Sequence, residues 1–517
     1  MALATSLSVA LVGVTPHLLE VEVDVSTGMP GFTLSALSDR VFNHVQHRLR
    51  TAFGNAGEVW PARKIICSLS PAIVPKSGSA FDLPLAATLL AAAGAVPAGP
   101  LQDTVLLGEL TLSGDVRPVP GVLPAVIGAL RQGCRRFVVP RANAAEAALV
   151  SGADVFAVGS LAELCRWLRG DLPDDALRVE PGRADAVDLP DLPDLADVVG
   201  QDHGRRALEV AAAGAHHLLL LGPPGVGKTM LAERLPGILP PLERDEALEV
   251  TGIHSVAGRL PAGYPLVAHP PFYAPHHSTT LAAVVGGGSG IAGPGAVSLA
   301  HRGVLFLDEA PEFSPRVLDA LRQPLESGQV VLARAAGVAQ YPCRFLLVLA
   351  ANPCPCAAGG RDLEASDCRC TAQVRRRYTA RLSGPLRDRI DLTVELGPVS
   401  RAVLVAGSAG ESTAVVRERV LAARDRARAR LAGTPWTTSG EVPGPVLRRR
   451  WPLGADAMAP IRRATARGTL STRGIDRVLR VSWTLADLAG LDRPGLGEVE
   501  EALALRSGNR FAVAMPA

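Results

Sequence analysis

An apolar run that leads into a glycine-rich loop with a single lysine constrains this chain more than any other feature. Leu218–Leu221 is typical of a buried strand, and the residues after Thr229 have a helical pattern. The loop between them is formed by Gly222, Pro223, Pro224, Gly225, Val226, Gly227, Lys228 and Thr229. Glycines allow backbone N–H groups to wrap phosphates at a helix N-terminus, where the helix dipole also favours anions. The sequence therefore predicts a strand–loop–helix unit that binds the phosphates of a nucleotide.

Lys228 and Thr229 predict the chemistry of this loop. In loops of this pattern the lysine reaches the β- and γ-phosphates, and the hydroxyl that follows it ligates Mg²⁺. Only three of the 53 basic residues are lysines, Lys64, Lys76 and Lys228, so a lysine in the phosphate motif stands out against an arginine-rich background. A plain glycine-rich turn is the alternative, but such a turn does not require the complete eight-residue motif between a strand and a helix. We therefore expect ATP and Mg²⁺ as cofactors.

A second apolar strand ends in two carboxylates. Val304–Leu307 is followed directly by Asp308 and Glu309. We expect Asp308 to hold Mg²⁺, directly or through water, and Glu309 to polarise the attacking water as general base. Alone this pattern is weak, because many such carboxylates only end a strand. Downstream of a complete phosphate loop it predicts an enzyme that hydrolyses ATP, and it argues against a scaffold that only binds nucleotide.

Two further polar segments complete the predicted ATP site. The apolar run 345–351 ends at Asn352, whose side-chain amide we expect to orient the lytic water, although a turn residue is the common role of such an asparagine. Arg387 and Arg389 are both candidates for an arginine finger donated to the ATP of a neighbouring subunit. Such a finger is worth ~10³–10⁵ in rate because it neutralises charge that develops in the transition state. The alternative for Arg389 is a surface ion pair with a neighbouring aspartate.

The length of the chain and its changes in composition predict several domains. At 517 residues it is long enough for about three domains of ordinary size. Residues 1–169 alternate strand-like and alanine-rich helical runs, and residues 170–196, rich in Asp and Pro, are typical of a linker. Residues 197–398 form a second α/β region around the nucleotide motifs. Residues 399–517 have helical patterns, most clearly at 413–431, so a helical domain is expected at the carboxyl-terminal end.

Composition and apolar patterning favour a cytoplasmic protein without a membrane span. The chain is 48% hydrophobic and 20% charged, as in folded globular proteins. Its longest apolar run, 83–96, is shorter than the ~20 residues that a membrane helix needs and is interpreted as a buried core helix. The amino terminus lacks the basic segment of a secretory signal. The net charge of +3 neither requires nor excludes nucleic acid. Arginine clusters at 375–377 and 448–450 could contact phosphates, although solvated helix faces are the common alternative.

Four of the eight cysteines form two close pairs. Cys354 and Cys356 are separated from Cys368 and Cys370 by a short segment. Two thiolate pairs across a short loop suit tetrahedral zinc, so a structural Zn²⁺ is predicted. Reduced free thiols are the main alternative, and disulfides are rare in the cytosol. The other cysteines lie in apolar runs and are interpreted as core residues.

Together these motifs resemble the YifB/ComM family of magnesium-chelatase-like AAA+ ATPases. The resemblance covers nearly the whole chain and rests on several long motifs. In one-letter code they are ALVGV, VEVDVSTGMPGFTL, PKSGSAFDLPLA, GPPGVGKTMLA, APHHSTTLAAVVGGG, LAHRGVLFLDEAPEF, ANPCPC, SGPLRDRIDL and STRGIDRVLRVSWTLADL. The resemblance implies a Lon-protease-like amino-terminal domain, an AAA+ core with the P-loop, and a helical lid.

The resemblance also implies roles for individual residues and a biological activity. Asn352 matches the first sensor and Arg389 the arginine finger, while Arg473 matches the second sensor, with Arg477 as an alternative. The segment from His276 to Gly290 is placed near the pore of a ring, where it would face substrate. The best-studied relatives resemble ring helicases that drive branch migration during DNA uptake and recombination. We therefore expect a homo-hexamer that acts on single-stranded or branched DNA.

Three rival functions follow from the same resemblance. A Lon-type protease needs a serine nucleophile and a lysine, but the matching positions hold Ala80 and Leu123, and Ser77 and Ser79 have no lysine in the second motif to activate them. Peptidase activity is therefore not expected. A magnesium chelatase motor shares the ATP site but lacks the amino-terminal Lon-like domain. A protein-remodelling AAA+ ATPase remains the alternative if DNA is not the substrate.

Overall fold

The computed structural model describes residues 2–35, 39–76, 80–180, 192–260, 266–288, 290–335, 337–356, 368, 370–400, 402–403 and 410–508. Two sheets with their helices are followed by a group of carboxyl-terminal helices. The predicted α/β class is thereby confirmed. The domain limits at 169, 196 and 398 remain predictions.

The amino-terminal region is built on a seven-stranded mixed sheet. Its strands are β1 Ala2–Val12, β2 Thr15–Ser26, β3 Gly31–Leu34, β4 Lys64–Ser70, β5 Thr104–Leu106, β8 Arg136–Pro140 and β9 Asp154–Val158, and a small hairpin joins β6 Glu109–Leu110 to β7 Val116–Arg117. The spatial order is β3-β4-β2-β1-β5-β8-β9. Alternation in β2 explains its position, because Val21, Val23 and Val25 are buried and the acidic residues between them face outward.

Six helices cover this sheet. They are α1 Asp39–Asn55, α2 Asp82–Ala92, α3 Gly99–Gln102, α4 Val122–Arg131, α5 Ala144–Ala147 and α6 Leu161–Arg169. Every residue of α2 is buried, which confirms the predicted core helix, and its one carboxylate, Asp82, pairs with Arg48 at 2.6 Å. Across the described part of the chain, the search for a helix long and apolar enough to cross a membrane found none.

The second sheet has five strands that all run parallel. They are β10 Leu218–Leu221, β11 Phe272–Tyr273, β14 Val304–Leu307, β17 Leu346–Ala351 and β18 Leu392–Glu395, in the order β11-β14-β17-β10-β18. Two hairpins flank it, β12 Gly286–Gly287 with β13 Gly293–Pro294 and β15 Gln329–Arg334 with β16 Gly337–Pro342. The central strands are continuously apolar because helices cover both faces of a parallel sheet.

Helices of this region and of the carboxyl-terminal region share one hydrophobic core. Around the sheet lie α7 Asp202–Gly214, α8 Lys228–Ile238, α9 Arg244–Val256, α10 Leu281–Val285, α11 Ala296–Leu299, α12 Pro315–Ala320, α13 Arg322–Ser327, α14 Ala372–Thr379 and α15 Gly384–Arg387. The last helices are α16 Thr413–Leu431, α17 Gly444–Arg450, α18 Ala459–Ala466, α19 Thr472–Ala489 and α20 Leu496–Ser507. Val420 of α16 and Trp483 of α19 belong to the same buried cluster as Leu208 and Leu235. The carboxyl-terminal region is helical, as predicted.

Parts of the predicted linker 170–196 are packed. Leu177 is buried against the amino-terminal sheet, and Leu195 is buried in the core of the second region. The backbone N–H of Leu195 donates to the hydroxyl of Thr413 at 2.7 Å. Residues 181–191 lie outside the described residues. The two ends of this stretch therefore belong to the flanking cores rather than to a solvated connector.

A buried polar network joins the amino-terminal region to α9. The hydroxyl of Ser255 donates to the carboxylate of Glu146 at 2.7 Å and accepts the backbone N–H of Gly121 at 3.0 Å. Asn143 donates to the other oxygen of Glu146 at 2.6 Å. Burial raises the pKa of Glu146, and these two donors partly offset that effect. Because each polar atom has a partner, the network fixes how the two regions meet.

Candidate active site

The phosphate loop has the backbone geometry that its glycines predict. Gly225 and Gly227 have φ angles of 78° and 94°, in the left-handed region that favours glycine. A Cβ atom at either position would meet nothing within 4 Å, so the conformation rather than crowding requires glycine there. At Gly222, in contrast, a Cβ would lie 2.7 Å from the carbonyl oxygen of Leu396. The loop thus runs close to the sheet at its start and opens outward before α8.

Lys228 is the first residue of α8, and its ammonium group is held by three oxygen atoms. It donates to the carbonyl of Gly222 at 2.8 Å, to that of Pro223 at 2.9 Å and to the side chain of Asn352 at 2.9 Å. Burial lowers the pKa of Lys228, and the carboxylates of Asp308 and Glu309 oppose that shift. The predicted first sensor therefore contacts the lysine of the phosphate loop directly.

Thr229 and Asp308 form a pair of oxygen ligands beside the loop. The threonine hydroxyl donates to Oδ2 of Asp308 at 2.7 Å, and Oδ1 accepts the backbone N–H of Glu309 at 2.8 Å. They meet because parallel strands β10, β17 and β14 end at the same edge of the sheet, here called the carboxyl edge. A hydroxyl and a carboxylate are hard oxygen donors of the kind that Mg²⁺ prefers. These residues fit ATP with Mg²⁺, which the loop and this pair would hold.

Glu309 has an unusual backbone and a partner that the sequence did not predict. Its φ is 49°, which is uncommon for a residue other than glycine and is found at functional sites. Its side chain is 51% exposed, and its Oε2 lies 3.4 Å from Nδ1 of His277. The neighbouring His276 bonds to Ser278 at 2.8 Å instead. The segment expected to face substrate thus touches the proposed general base. The sequence signal that could have revealed this contact is strand β11, which pairs with β14. Its two residues were not predicted to form a strand.

Tyr378 is a second residue of this site that the sequence did not predict. It is the only buried residue of α14, and the nearby backbone of Asn352 lowers the pKa of its hydroxyl. Burial raises the pKa of Tyr378 to about 12, and the carboxylates of Glu312 and Glu309 add to the shift. Tyr378 therefore connects α14 to the carboxyl edge.

Arg389 and Arg473 lie at the opposite, amino edge of the same sheet. Arg389 precedes β18, whose first residue pairs with Leu218 at the start of β10. Lys228 follows the end of β10, and a four-residue parallel strand spans about 13 Å. Arg389 and Arg473 both line a cavity of about 810 Å³ at the amino edge. The structure thus brings together Lys228, Thr229, Asp308, Glu309 and Asn352, but it does not bring the arginines to the phosphate loop of the same chain.

Arg389 and Arg473 have different environments at the amino edge. Arg389 pairs with Glu326 and donates to the carbonyl of Pro385 at 2.6 Å, while its buried Nε has no hydrogen-bond partner among the described residues. Burial, together with neighbouring arginines, lowers the pKa of Arg389. Arg473 is 76% exposed, and its Nη1 lies 3.5 Å from a carboxylate oxygen of Asp388. Each guanidinium group thus has a carboxylate neighbour, but Arg389 keeps one N–H group without a partner among the described residues and Arg473 is largely exposed.

Arg477, the alternative for the second sensor, is engaged within the fold. It donates to the buried carboxylate of Asp391 at 2.8 Å, and the backbone N–H of His217 donates to the same carboxylate at 3.1 Å. Burial raises the pKa of Asp391, but Arg477 and the adjacent histidines outweigh burial and hold it well below its usual range. Burial lowers the pKa of His217 to about 4. Arg477 is thus occupied in a buried pair, whereas Arg473 extends toward solvent, where another molecule can reach it.

The four clustered cysteines meet just beyond Asn352. Sγ of Cys354 lies 3.1 Å from that of Cys356 and 3.5 Å from that of Cys368, and the four Sγ atoms, including that of Cys370, lie within 4.8 Å of one another. Sulfurs bound to one tetrahedral zinc at ~2.3 Å lie about 3.8 Å apart. Burial and the neighbouring thiols raise the pKa of Cys354 to about 12, which a bound cation would reverse. The cluster could bind a metal ion, although 357–367 and Arg369 lie outside the described residues.

Comparison with known proteins identifies the family of this chain. Models for magnesium chelatase subunit ChlI match residues 194–404 and 21–143, and a model for the carboxyl-terminal part of that subunit matches residues 410–506. Competence protein ComM of Haemophilus influenzae is 40% identical over 98% of this chain and 98% of its own length. YifB of Escherichia coli is 40% identical over 98% of this chain and 97% of its own length. The chain belongs to the YifB/ComM family of magnesium-chelatase-like AAA+ ATPases.

Other relatives extend this result. A protein of Mycobacterium tuberculosis is 52% identical over 98% of this chain and 99% of its own length. The AAA+ domains of the YifB/ComM family are those of ATPase-type motors that use ATP with Mg²⁺, which agrees with the residues gathered at the carboxyl edge. Lon protease 2 of Bacillus subtilis is 34% identical over 27% of this chain, so the similarity to Lon is partial.

The positions that correspond to a Lon catalytic pair lie in an apolar environment. Leu123 is fully buried at the start of α4, and Ala80 packs against the same cluster of hydrophobic side chains. Ser77 and Ser79 lie outside the described residues. The segment 118–123, which corresponds to the second Lon motif and ends at Leu123, also contains Gly121, whose N–H donates to Ser255 of the AAA+ region. This loop therefore forms part of the contact between the amino-terminal region and the AAA+ region of the YifB/ComM chain.

Proposed function

We propose that this protein is an ATP-hydrolysing ring motor that moves along DNA during recombination or natural transformation. The observation that carries the proposal is the separation of the ATP-site residues between the two edges of one parallel sheet. Lys228 and Glu309 lie at the carboxyl edge, and Arg389 lies at the amino edge. A site of this kind is complete only where the carboxyl edge of one subunit meets the amino edge of the next.

This arrangement supports a closed homo-oligomer. A contact between two different surfaces of the same chain is a head-to-tail interface, and such interfaces generate rings when the rotation closes. Arg389, whose buried Nε has no partner among the described residues, and the exposed Arg473 supply the N–H donors and positive charge that the triphosphate of a neighbour would meet. We propose a homo-hexamer, by the family resemblance.

In the proposed reaction each residue has a distinct role. Backbone N–H groups of the loop and Lys228 bind the phosphates, and Thr229 with Asp308 holds the metal ion. A Mg²⁺ ion held by Thr229 and Asp308 would supply neutralisation of the phosphate charge. Glu309 accepts the proton of the attacking water, and Asn352 orients that water. Arg389 of the adjacent subunit, aided by Arg473, stabilises the charge that develops as the γ-phosphoryl group leaves.

DNA is proposed as the substrate on family grounds. One relative is named a competence protein, and the family resemblance implies ring helicases that drive branch migration. The substrate-facing segment around His276 and His277 reaches the general base, which offers a route from substrate to hydrolysis. A protein-remodelling ATPase and a chelatase-like motor subunit are the alternatives that experiment must separate from this proposal.

The test has two arms. The ATPase rate of the wild-type protein is measured without DNA and with single-stranded, duplex and branched DNA, together with strand displacement at low salt. We expect DNA to stimulate hydrolysis and branched DNA to be processed. If no DNA form binds at low salt and no strand is displaced with ATP, the DNA motor is wrong and protein remodelling becomes the leading function.

The second arm tests the shared site. Arg389→Ala and Lys228→Ala proteins, each inactive alone, are mixed. Activity should return, because some interfaces then combine an intact phosphate loop with an intact arginine. A mixture that stays inactive, although mixed rings form, would show that both residues act within one subunit.

The cysteine cluster is part of the proposal as a structural zinc site. The support is the convergence of four sulfur atoms within 4.8 Å of one another, those of Cys354, Cys356, Cys368 and Cys370. Cys354 follows Asn352 by two residues, so the metal would anchor the segment that carries the first sensor.

A further inference from the structure

A row of exposed arginines lies on α14, next to the cysteine cluster. Arg375, Arg376 and Arg377 are all exposed on this eight-residue helix. Arg375 and Arg376 line a groove of about 540 Å³, whose lining also includes Arg387 of the neighbouring helix α15 and no acidic side chain among the described residues. The groove is therefore a positively charged surface built from two helices.

The charge of this surface is not compensated by ion pairs. In the described ranges, no ion pair is formed by Arg375, Arg376, Arg377 or Arg387, although many other arginines of the chain are paired. Arg419, for example, contacts Glu209 at 2.6 Å and Glu411 at 2.7 Å. Guanidinium groups suit phosphate because their planar N–H donors can bind two oxygens at once. A row of them with no internal partner fits a ligand that presents several phosphates.

The cluster at 448–450 has a different environment. Arg448 pairs with Asp476, and Arg450 lies over the ring of Trp451 at 5.0 Å. Arg449 donates to the carbonyl of Pro445 at 3.4 Å. Of the two clusters that the sequence singled out, only the one on α14 keeps its guanidinium groups available.

Surface and ATP site are mechanically connected through α14. Tyr378 follows the three arginines and is buried near the backbone of Asn352, whose side chain accepts a hydrogen bond from Lys228. The helix begins just after the cysteine cluster. A force applied to the arginines would therefore act through α14 on Asn352, the predicted first sensor.

We infer that the α14 surface, formed by Arg375, Arg376, Arg377 and Arg387, binds the sugar–phosphate backbone of the DNA on which the motor acts. The inference rests on the proposed function and adds the location of a DNA-binding surface. Phosphate contacts carry no sequence information, so binding here is independent of base sequence. That property suits a motor that must step along any strand.

The test is the salt dependence of DNA binding by the full chain. The triple variant Arg375→Gln, Arg376→Gln, Arg377→Gln is compared with wild type, using a fluorescent oligothymidine strand over a range of salt concentrations. For single strands the slope of log K against log salt changes by about 0.7 for each phosphate that the protein no longer neutralises. The variant slope should be shallower by about 2, and its affinity at low salt should fall by more than tenfold.

A matched control removes the same charge elsewhere. Arg462, Arg463 and Arg467 are exposed on and just after α18, and their triple glutamine variant lowers the net charge equally. Its slope should equal that of wild type. Because the arginines of α14 are exposed, the α14 variant should unfold at the wild-type temperature.

The possible outcomes distinguish a failure of the proposed function from a failure of the proposed DNA-binding surface. If wild-type protein binds no DNA, the proposed function fails. If wild type binds and both variants share its slope, the DNA motor stands but the α14 surface is wrong. If the α14 variant instead loses assembly with ATP, judged by size-exclusion chromatography, the surface is a subunit contact and the inference is overturned.

Discussion

The two edges of the parallel sheet differ in how fully their polar side chains are hydrogen-bonded. At the carboxyl edge the side chains satisfy one another, since Lys228 has three oxygen partners and Thr229 bonds to Asp308. At the amino edge Arg389 has a buried Nε without a partner in the described structure, and Arg473 extends into solvent. The side chains of the carboxyl edge are thus paired with one another, whereas the amino edge keeps N–H groups without a partner among the described residues. In the proposed motor, this contrast places the catalytic unit at an interface between two subunits.

The largest expected effect is at the amino edge. Arg389→Ala should lower kcat for ATP by ~10³–10⁵, because a trans arginine neutralises transition-state charge. Arg389→Lys should recover little, since a point charge does not replace the planar guanidinium. Steady-state kinetics of the assembled ring provide the measurement, with Arg322→Ala, a neighbouring arginine on α13, as the control. A greater loss from Arg387→Ala than from Arg389→Ala would transfer the role of finger to Arg387.

At the carboxyl edge, binding and catalysis should separate. Glu309→Gln should lower kcat by ~10²–10⁴ with unchanged ATP affinity, because only the proton acceptor is lost. Lys228→Ala should weaken nucleotide binding itself. Fluorescent nucleotide titration and single-turnover hydrolysis distinguish the two, and Glu312→Gln, in the same turn, serves as the control. Normal turnover by the Glu309→Gln protein would refute its assignment as the base.

The cysteine cluster tests whether the carboxyl edge depends on an anchored metal. Freshly purified protein should contain about one zinc per chain, and the double variant Cys354→Ser, Cys356→Ser should contain none. Ligated zinc contributes ~10–16 kcal/mol in small zinc domains, so its loss should also lower the unfolding temperature. Elemental analysis and thermal unfolding are the measurements, with Cys134→Ser as the control outside the cluster. Absence of zinc from unchelated wild-type protein would favour reduced thiols.

The smallest expected effect concerns His277. Because its imidazole lies beside the carboxylate of Glu309, His277→Ala should lower kcat several-fold and leave ATP affinity unchanged, in line with an exposed ion pair worth up to about 1 kcal/mol. His276→Ala should have no such effect, since His276 contacts Ser278 instead. His277→Asn, which keeps an N–H donor, should restore part of the rate. Equal rates for the two alanine variants would remove His277 from the site.

The sequence predicts the site best where a function depends on residues that are adjacent in the chain. The loop at 222–229, the pair Asp308 and Glu309, and Asn352 each follow a continuous apolar strand. Parallel strands of one sheet end at the same edge, so their positions after those strands already imply that they meet. The two cysteine pairs were likewise recognisable by spacing, and the structure brings all four sulfurs together.

Other features required the fold. The contact of His277 with Glu309 depends on a two-residue strand, β11, that is too short to produce a periodic pattern. The hydrogen bond between Ser255 and Glu146 joins residues that are 109 positions apart. Neither residue type is unusual in its local sequence. Local pattern carries no information about such pairs.

The sequence by itself determined the α/β class, the ATPase family and the residues proposed to bind phosphate and metal, because each depends on a contiguous motif with local geometry. Only the tertiary structure decided which of these residues share a site within one chain. It placed Arg389 and Arg473 at the amino edge, opposite Lys228, and it engaged Arg477 with Asp391. The physical reason is the direction of the chain: in a parallel sheet, residues before a strand and residues after a strand lie at opposite edges, whatever their distance in sequence.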